Sequence, residues 1–408
     1  MSKNRKIIIF LLAVIIIISV IFLVVFKKDK KEENILEAGD KGIISYFELG
    51  ATSLNKNNLL QFCDAATGEK TILCGKPKCK HNNKECNALL EDYYVPLAAI
   101  HNDKLYIVMV GEDRNFVLYE ADVNGSNRNE ILSLGELKFV FTSMFSGNYL
   151  IMVYNKSNEL GDVDSEEITR LEKPISGVTI INLKEQEVDY IPEKVDYDGY
   201  ISKVHMYEDK IYYLYTFKDV QYKTQDFESY DLDYASDHTF DRLYSYDVKT
   251  EEESILYEGQ DIYFEEFGDN YAFIRKNKES EEIYAFNLLN QEKEELIIEK
   301  NSHFFCWADD KRLVYHVLYK SSPSEDIKTT EEVPSHFYYY DMISRENCYI
   351  GSTTTNKLSH IYTFSGDYAY ISYDTQSDGP ISIFVRKAGC ITKDDFYNGN
   401  FDKVIKLD

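Results

Sequence analysis

Beyond its first forty residues the chain repeats one pattern of polar and apolar positions. A polar turn is followed by a tyrosine-rich apolar run: "NDKLYIVMV" (102–110), "SGNYLIMVY" (146–154), "EDKIYYLYT" (208–216), "GDNYAFIRK" (268–276), "DDKRLVYHV" (309–317) and "SGDYAYISY" (365–373). An alternating strand closed by a polar turn follows each: "VLYEADVNG", "VTIINLKEQ", "RLYSYDVKT", "EIYAFNLLN", "HFYYYDMIS" and "SIFVRKAG". A seventh such strand, "NLLQFCDAATG" (58–68), stands ahead of the first full unit. Short apolar strands flank each pair, such as "NEILSL" after it and "FVFTSMF" or "HIYTF" before it. Period-2 alternation broken by turn residues is the mark of strands.

Four strands in an antiparallel meander, repeating every 40 to 60 residues or so, are the unit of a propeller blade. The expected fold is therefore all-β, a β-propeller over residues 41–408. An initial unit at about 41–75 and six more from about residue 92 make seven blades. The inner strand of the first unit is weakly marked, which leaves six or eight as alternatives. No long 3.6-residue period interrupts the pattern, so little helix is expected outside the N-terminus.

Composition agrees. The chain has 34 Tyr and 23 Phe against one Trp and 7 Pro, and aromatic residues favour strands. At 44% apolar and 28% charged, 408 residues suffice for a large core.

Residues 7–26, "IIIFLLAVIIIISVIFLVVF", are uncharged and as a helix span about 30 Å, the thickness of a bilayer core. A cleaved signal peptide has a shorter apolar region ending at a small-residue site, and no cysteine follows to take a lipid. The segment is expected to be an uncleaved transmembrane anchor, with 1–6 a cytoplasmic leader and 27–40 a charged tether. Lys3, Arg5 and Lys6 precede it while Lys27, Lys28, Lys30 and Lys31 follow it. These charges favour neither orientation, but a long domain translocates largely regardless of them. The expected address is a single-pass cell-membrane protein with an extracytoplasmic propeller. From residue 32 onward 38 basic residues face 69 acidic ones, a formal charge near −31, which excludes nucleic acid as a partner.

Three of the seven cysteines crowd into "CGKPKCKHNNKEC" (74–86). Cys74, Cys79, His81 and Cys86 supply the number and type of ligands that tetrahedral zinc takes. With all four positions filled, the ion would be structural. The competing reading is a disulfide, which export permits and which would recruit Cys63 to make an even number. Cys306, Cys348 and Cys390 read as isolated thiols. In either case the closed loop is expected to form a rigid knob on the face that carries the long connections.

Extra length falls between the second and third strands of several units, at about 155–176, 217–240 and 319–335, and long connections in compact domains carry function or stay unstructured. The longest interleaves Tyr222, Phe227, Tyr230 and Tyr234 with carboxylates, a surface suited to sugars or cationic peptides. His303 and His360 each stand seven residues before a turn aspartate, Asp310 and Asp367. That common register places both near the channel mouth, for packing or for ligand binding. Calcium-loop and catalytic motifs are absent.

With its N-terminal anchor, its "Y-x-Y-D" strands ("YSYDVKT", "YYYDMIS") and the LC-x4-C-x-H-x4-C cluster at 73–86, the chain resembles a group of bacterial membrane-anchored, TolB-like β-propeller proteins of unknown function. The resemblance implies an extracytoplasmic binding or scaffolding role and supplies no catalytic residues. Two classes of function follow. One is a surface module binding a cell-wall glycan, peptide or protein. The other is an anchored hydrolase or lyase with its site at the channel mouth.

Overall fold

The structure, a computed structural model, describes residues 43–407 except 48, 91–92, 112–114, 136–138, 157–174, 195–197, 219–238, 261, 277–279, 281, 319–333, 355–356 and 379–382. The expected leader, membrane span and tether lie outside the described residues, as do Tyr222, Phe227, Tyr230 and Tyr234. No helix among the described residues is long and apolar enough to cross a membrane.

Seven four-stranded antiparallel sheets follow one another along the chain, each in simple meander order. The protein is a seven-bladed β-propeller. Blade 1 begins with Ile43–Phe47, and the inner strands of blades 2 to 7 are Tyr94–His101, Phe139–Ser146, Asp198–Tyr207, Tyr263–Gly268, Ser302–Trp307 and His360–Ser365. The tyrosine-rich runs are the second strands, which neighbouring blades cover on both faces. Residues 150–154 of blade 3 are all at most 1% exposed, so side chains of both parities must be apolar or have a hydroxyl that finds a partner.

The third strands end in a side-chain-capped turn, and this accounts for the aspartate of "Y-x-Y-D". Asp247 Oδ1 accepts from the backbone N–H groups of Lys249 and Thr250. Asp64, Asn182, Asn287 and Asp341 act in the same way in blades 1, 3, 5 and 6. Four residues on, the chain turns through the left-handed region at Gly68, Gln186, Glu251, Gln291 and Arg345. These aspartates are turn caps.

One further regularity sets the channel. All seven inner strands carry a bulge or irregularity in their pairing with the second strand. An extra residue there bends the strand and raises its local twist.

Blade 7 departs from the expected pattern. Its third strand, Ile383–Thr392, runs past the turn expected at "RKAG" into a short helix, Lys393–Tyr397. Thr392 caps that helix by accepting from Asp395 N at 3.1 Å, and Phe396 is fully buried against blade 6.

The ring closes without exchanging a strand, because each blade is one continuous stretch of chain. Side chains form the seam instead. Ala51, Cys63 and Ala65 of blade 1 pack with Tyr370, Cys390 and Leu407 of blade 7. Tyr370 donates its hydroxyl to Phe47 O at 2.8 Å, and Cys390 Sγ reaches Ala65 O at 3.2 Å.

Candidate metal centre and channel

Residues 73–90 join the outer strand of blade 1 (Lys70–Ile72) to blade 2. They turn back on themselves, so that Leu60 N donates to Ala88 O and Leu90 N to Asn58 O. The reversal uses left-handed backbone at Gly75, Lys78 and His81. It brings the ligand atoms of Cys74, Cys79, His81 and Cys86 within 4.8 Å of one another. Cys74 and Cys86 are buried, at 2% and 1% exposure. Their sulfurs lie 3.5 Å apart, and His81 Nδ1 lies 3.3 Å from Cys86 Sγ.

The Cys74–Cys86 separation is wider than the roughly 2.05 Å of a disulfide bond. Cys63, the expected disulfide partner, packs instead in the blade 1–7 seam. A tetrahedron with metal–sulfur bonds of about 2.3 Å has sulfur–sulfur edges near 3.8 Å, and the cluster is close to that size.

The thiol environment fits as well. Burial pushes the Cys74 thiol up, but the backbone N–H groups of Lys76 and Asn87 and the neighbouring thiols outweigh it, bringing it down to about 6. Burial, reinforced by Cys74 and Cys79, holds Cys86 up at about 11 against the N–H groups of Ala88 and Leu89. Without a metal the pocket thus accommodates one thiolate and resists a second, a conflict that a divalent cation removes. Lys76, Lys78, Lys80 and Lys84 punctuate the same loop and offset the net negative charge of a zinc site with three thiolates and one imidazole.

The loop is wedged against the turn between the third and fourth strands of blade 2. Asn87 donates to Gly125 O at 2.9 Å, and Arg128 Nη1 donates to Asn87 O at 2.7 Å. A Cβ at Gly125 would lie 2.0 Å from Leu73 O, so only glycine permits that approach. The cluster therefore staples blade 1 to blade 2.

A cavity of about 1180 Å³ lies against the inner strands of blades 1, 2, 3 and 7. Aromatic rings (Tyr46, Phe145, Tyr362) and hydroxyls (Ser45, Thr142, Thr363) share its wall with His101 and Asp103. His101 stacks on Phe145 and hydrogen-bonds the Gly147 carbonyl at 2.7 Å. Across the channel the charges are paired. Lys203 lies 3.5 Å from Glu266, and buried Arg275 lies 2.6 Å from Glu265.

His303 and His360 do open the inner strands of blades 6 and 7, and the structure brings a third imidazole to them. His316 is the cross-strand partner of His303. Burial, with the nearby His303 and His360 rings adding to it, lowers His316 to about 4. Sequence reading missed it because it lies within an apolar second strand.

Asp241, on the third strand of blade 4, accepts from Thr216 Oγ1 at 2.5 Å. Burial pushes it up to about 6 from the ordinary aspartate value of 3.8 despite that bond. The folded state therefore holds this proton more tightly than the unfolded chain, and stability falls as pH rises from about 4 to about 6. Asp241→Asn, which keeps the acceptor, is expected to stabilise the protein by about 2 to 3 kcal/mol at pH 8 and by little below pH 4. Denaturant unfolding at the two pH values measures this, and an equal effect at both would contradict it.

No protein-family model matches the chain, and no curated protein does. Its fold is similar to that of a prolyl endopeptidase (TM-score 0.53, 9% identity), covering 87% of this chain and 48% of that one. It is also similar to the Pyrococcus horikoshii acylaminoacyl peptidase (TM-score 0.52, 14% identity), covering 87% and 51%. An oligogalacturonate lyase in complex with manganese aligns at TM-score 0.48 and 14% identity over 72% of each chain. This chain spans about half the length of the two peptidases. At these identities the likeness is one of fold.

Proposed function

We propose that this protein is a membrane-anchored, extracytoplasmic binding or scaffold module of the TolB-like propeller group, engaging a cell-wall glycan, peptide or protein at the cell surface. The observation that supports this best is the channel cavity, whose wall of aromatic rings and hydroxyls suits recognition of a ligand. Cys74, Cys79, His81 and Cys86 hold one structural zinc. Residues 7–26 anchor the chain. The 217–240 connection, with Tyr222, Phe227, Tyr230 and Tyr234, and the histidines His303 and His360 contribute to ligand binding.

Protease added to intact cells is expected to remove the propeller and leave residues 1–26 in the membrane, and a pull-down from solubilised wall material is expected to retain a component. Full protection until lysis would reverse the orientation. An empty pull-down would remove the binding role.

A further inference from the structure

Five of the seven inner strands place a flat ring at one register position, just outside the bulge: Tyr94, Tyr200, Tyr263, His303 and His360. Their cross-strand partners are Val110, Thr216, Arg275, His316 and Ser372. In four of these strands the next residue inward is core, namely Val95, Ile201, Phe264 and Ile361, each at most 8% exposed. Strand alternation therefore turns the ring-bearing position away from the core. Tyr94, Tyr200 and Tyr263 are 52%, 49% and 46% exposed, and His303 is exposed as well. Aromatic residues normally found in strand interiors are here held in water around one end of the channel. It is also the end at which the second strands of blades 3, 4 and 6 stop, at Lys156, Lys218 and Leu318, and the long connections leave.

The collar continues into the cavity. The His360 ring meets Tyr362 edge-on at 5.1 Å, Tyr362 stacks on Tyr46 at 5.3 Å, and both tyrosines line the cavity together with Pro96, two residues below Tyr94. We propose that this collar and cavity form a subsite for an uncharged oligosaccharide chain, a proposal that rests on the binding-module reading and names its ligand class. The chemistry of the lining selects that class. Flat ring faces pack against the C–H faces of sugar rings, while tyrosine, serine and threonine hydroxyls exchange hydrogen bonds with sugar hydroxyls. No lysine or arginine is among the described residues that line the cavity, and Arg275, which partners Tyr263, is already paired with Glu265. An anionic polymer would thus find no counter-charge and would meet an acidic body. Among the described lining residues the single carboxylate, Asp103, lies in the turn at the far end of blade 2's inner strand, which leaves a polycation little to bind within the subsite.

The test titrates the full-length protein in detergent micelles with four probes: chitohexaose, maltohexaose, hexagalacturonate and hexalysine. At least one uncharged hexasaccharide is expected to bind at least about tenfold more tightly than hexagalacturonate. The Tyr200→Ala/Tyr263→Ala double variant is expected to weaken that binding at least about tenfold with an unchanged melting temperature, and the corresponding Phe variants to retain most of it. Preference for hexagalacturonate, or neutral-sugar binding indifferent to the Ala variant, would overturn the subsite. Binding of hexalysine in place of both sugars would overturn it too and leave the binding module standing. Failure of all four probes would also overturn it, and an empty wall-material pull-down besides would take the module with it.

Discussion

Tyr370→Ala is expected to cost the protein about 4 to 6 kcal/mol and to lower its melting temperature by roughly 10 °C or more. Tyr370 is fully buried and packs at 4.9 Å from the Tyr46 ring. Its hydroxyl satisfies the Phe47 carbonyl across the blade 1–7 seam. In a ring closed by strand exchange, a ladder of backbone hydrogen bonds would share that task. Here side chains carry it, so truncation combines a large-to-small cavity with the loss of a buried hydrogen bond. Tyr370→Phe keeps the ring and separates the two contributions, with an expected loss of about 1 to 2 kcal/mol. Thermal unfolding of the three proteins measures both, and an Ala variant within 1 kcal/mol or so of the parent would mean that the seam contributes little.

Disruption of the candidate metal centre is expected to be the second large effect. Cys86→Ser is expected to abolish stoichiometric zinc and to lower stability by about 4 kcal/mol, the linkage expected when free zinc stands about a thousandfold above its dissociation constant. A strong chelator acting on the parent protein is expected to reproduce the shift, and added zinc to reverse it for the parent alone. The unfolding that results should begin at the blade 1–2 junction, where the loop holds Gly125 and Arg128 through Asn87. Hydrogen exchange would report it as lost protection at residues 73–90 and in that blade 2 turn. A chelator-insensitive melting temperature together with unchanged exchange would assign the cluster no structural role.

The blades were legible in the sequence because burial on both faces writes itself into the second strands as tyrosine-rich apolar runs, and because a side-chain-capped turn follows the third strand in five of the seven blades. The cysteine cluster was legible because its ligands sit on one loop. What it docks against was not. Gly125 and Arg128 lie about forty residues on, in a turn that resembles the others. The collar was half visible. His303 and His360 stand at equal distances from their turns, but Tyr94 and Tyr200 stand nine residues before Asp103 and Asp209, and Tyr263 six before Asp269. Variable strand lengths and the bulges hide a common register that only the hydrogen-bond ladder restores. The seam was hidden for another reason, since it joins the two ends of the ring, 323 residues apart at Tyr370 and Phe47.

The metal centre is tested most directly by zinc-edge X-ray absorption on protein purified without reductant or added metal, with total zinc measured on the same sample. The predicted result is one zinc per chain, with three sulfur ligands at about 2.3 Å and one nitrogen at about 2.0 Å. A metal-free protein with a crosslink among Cys74, Cys79 and Cys86 would contradict it.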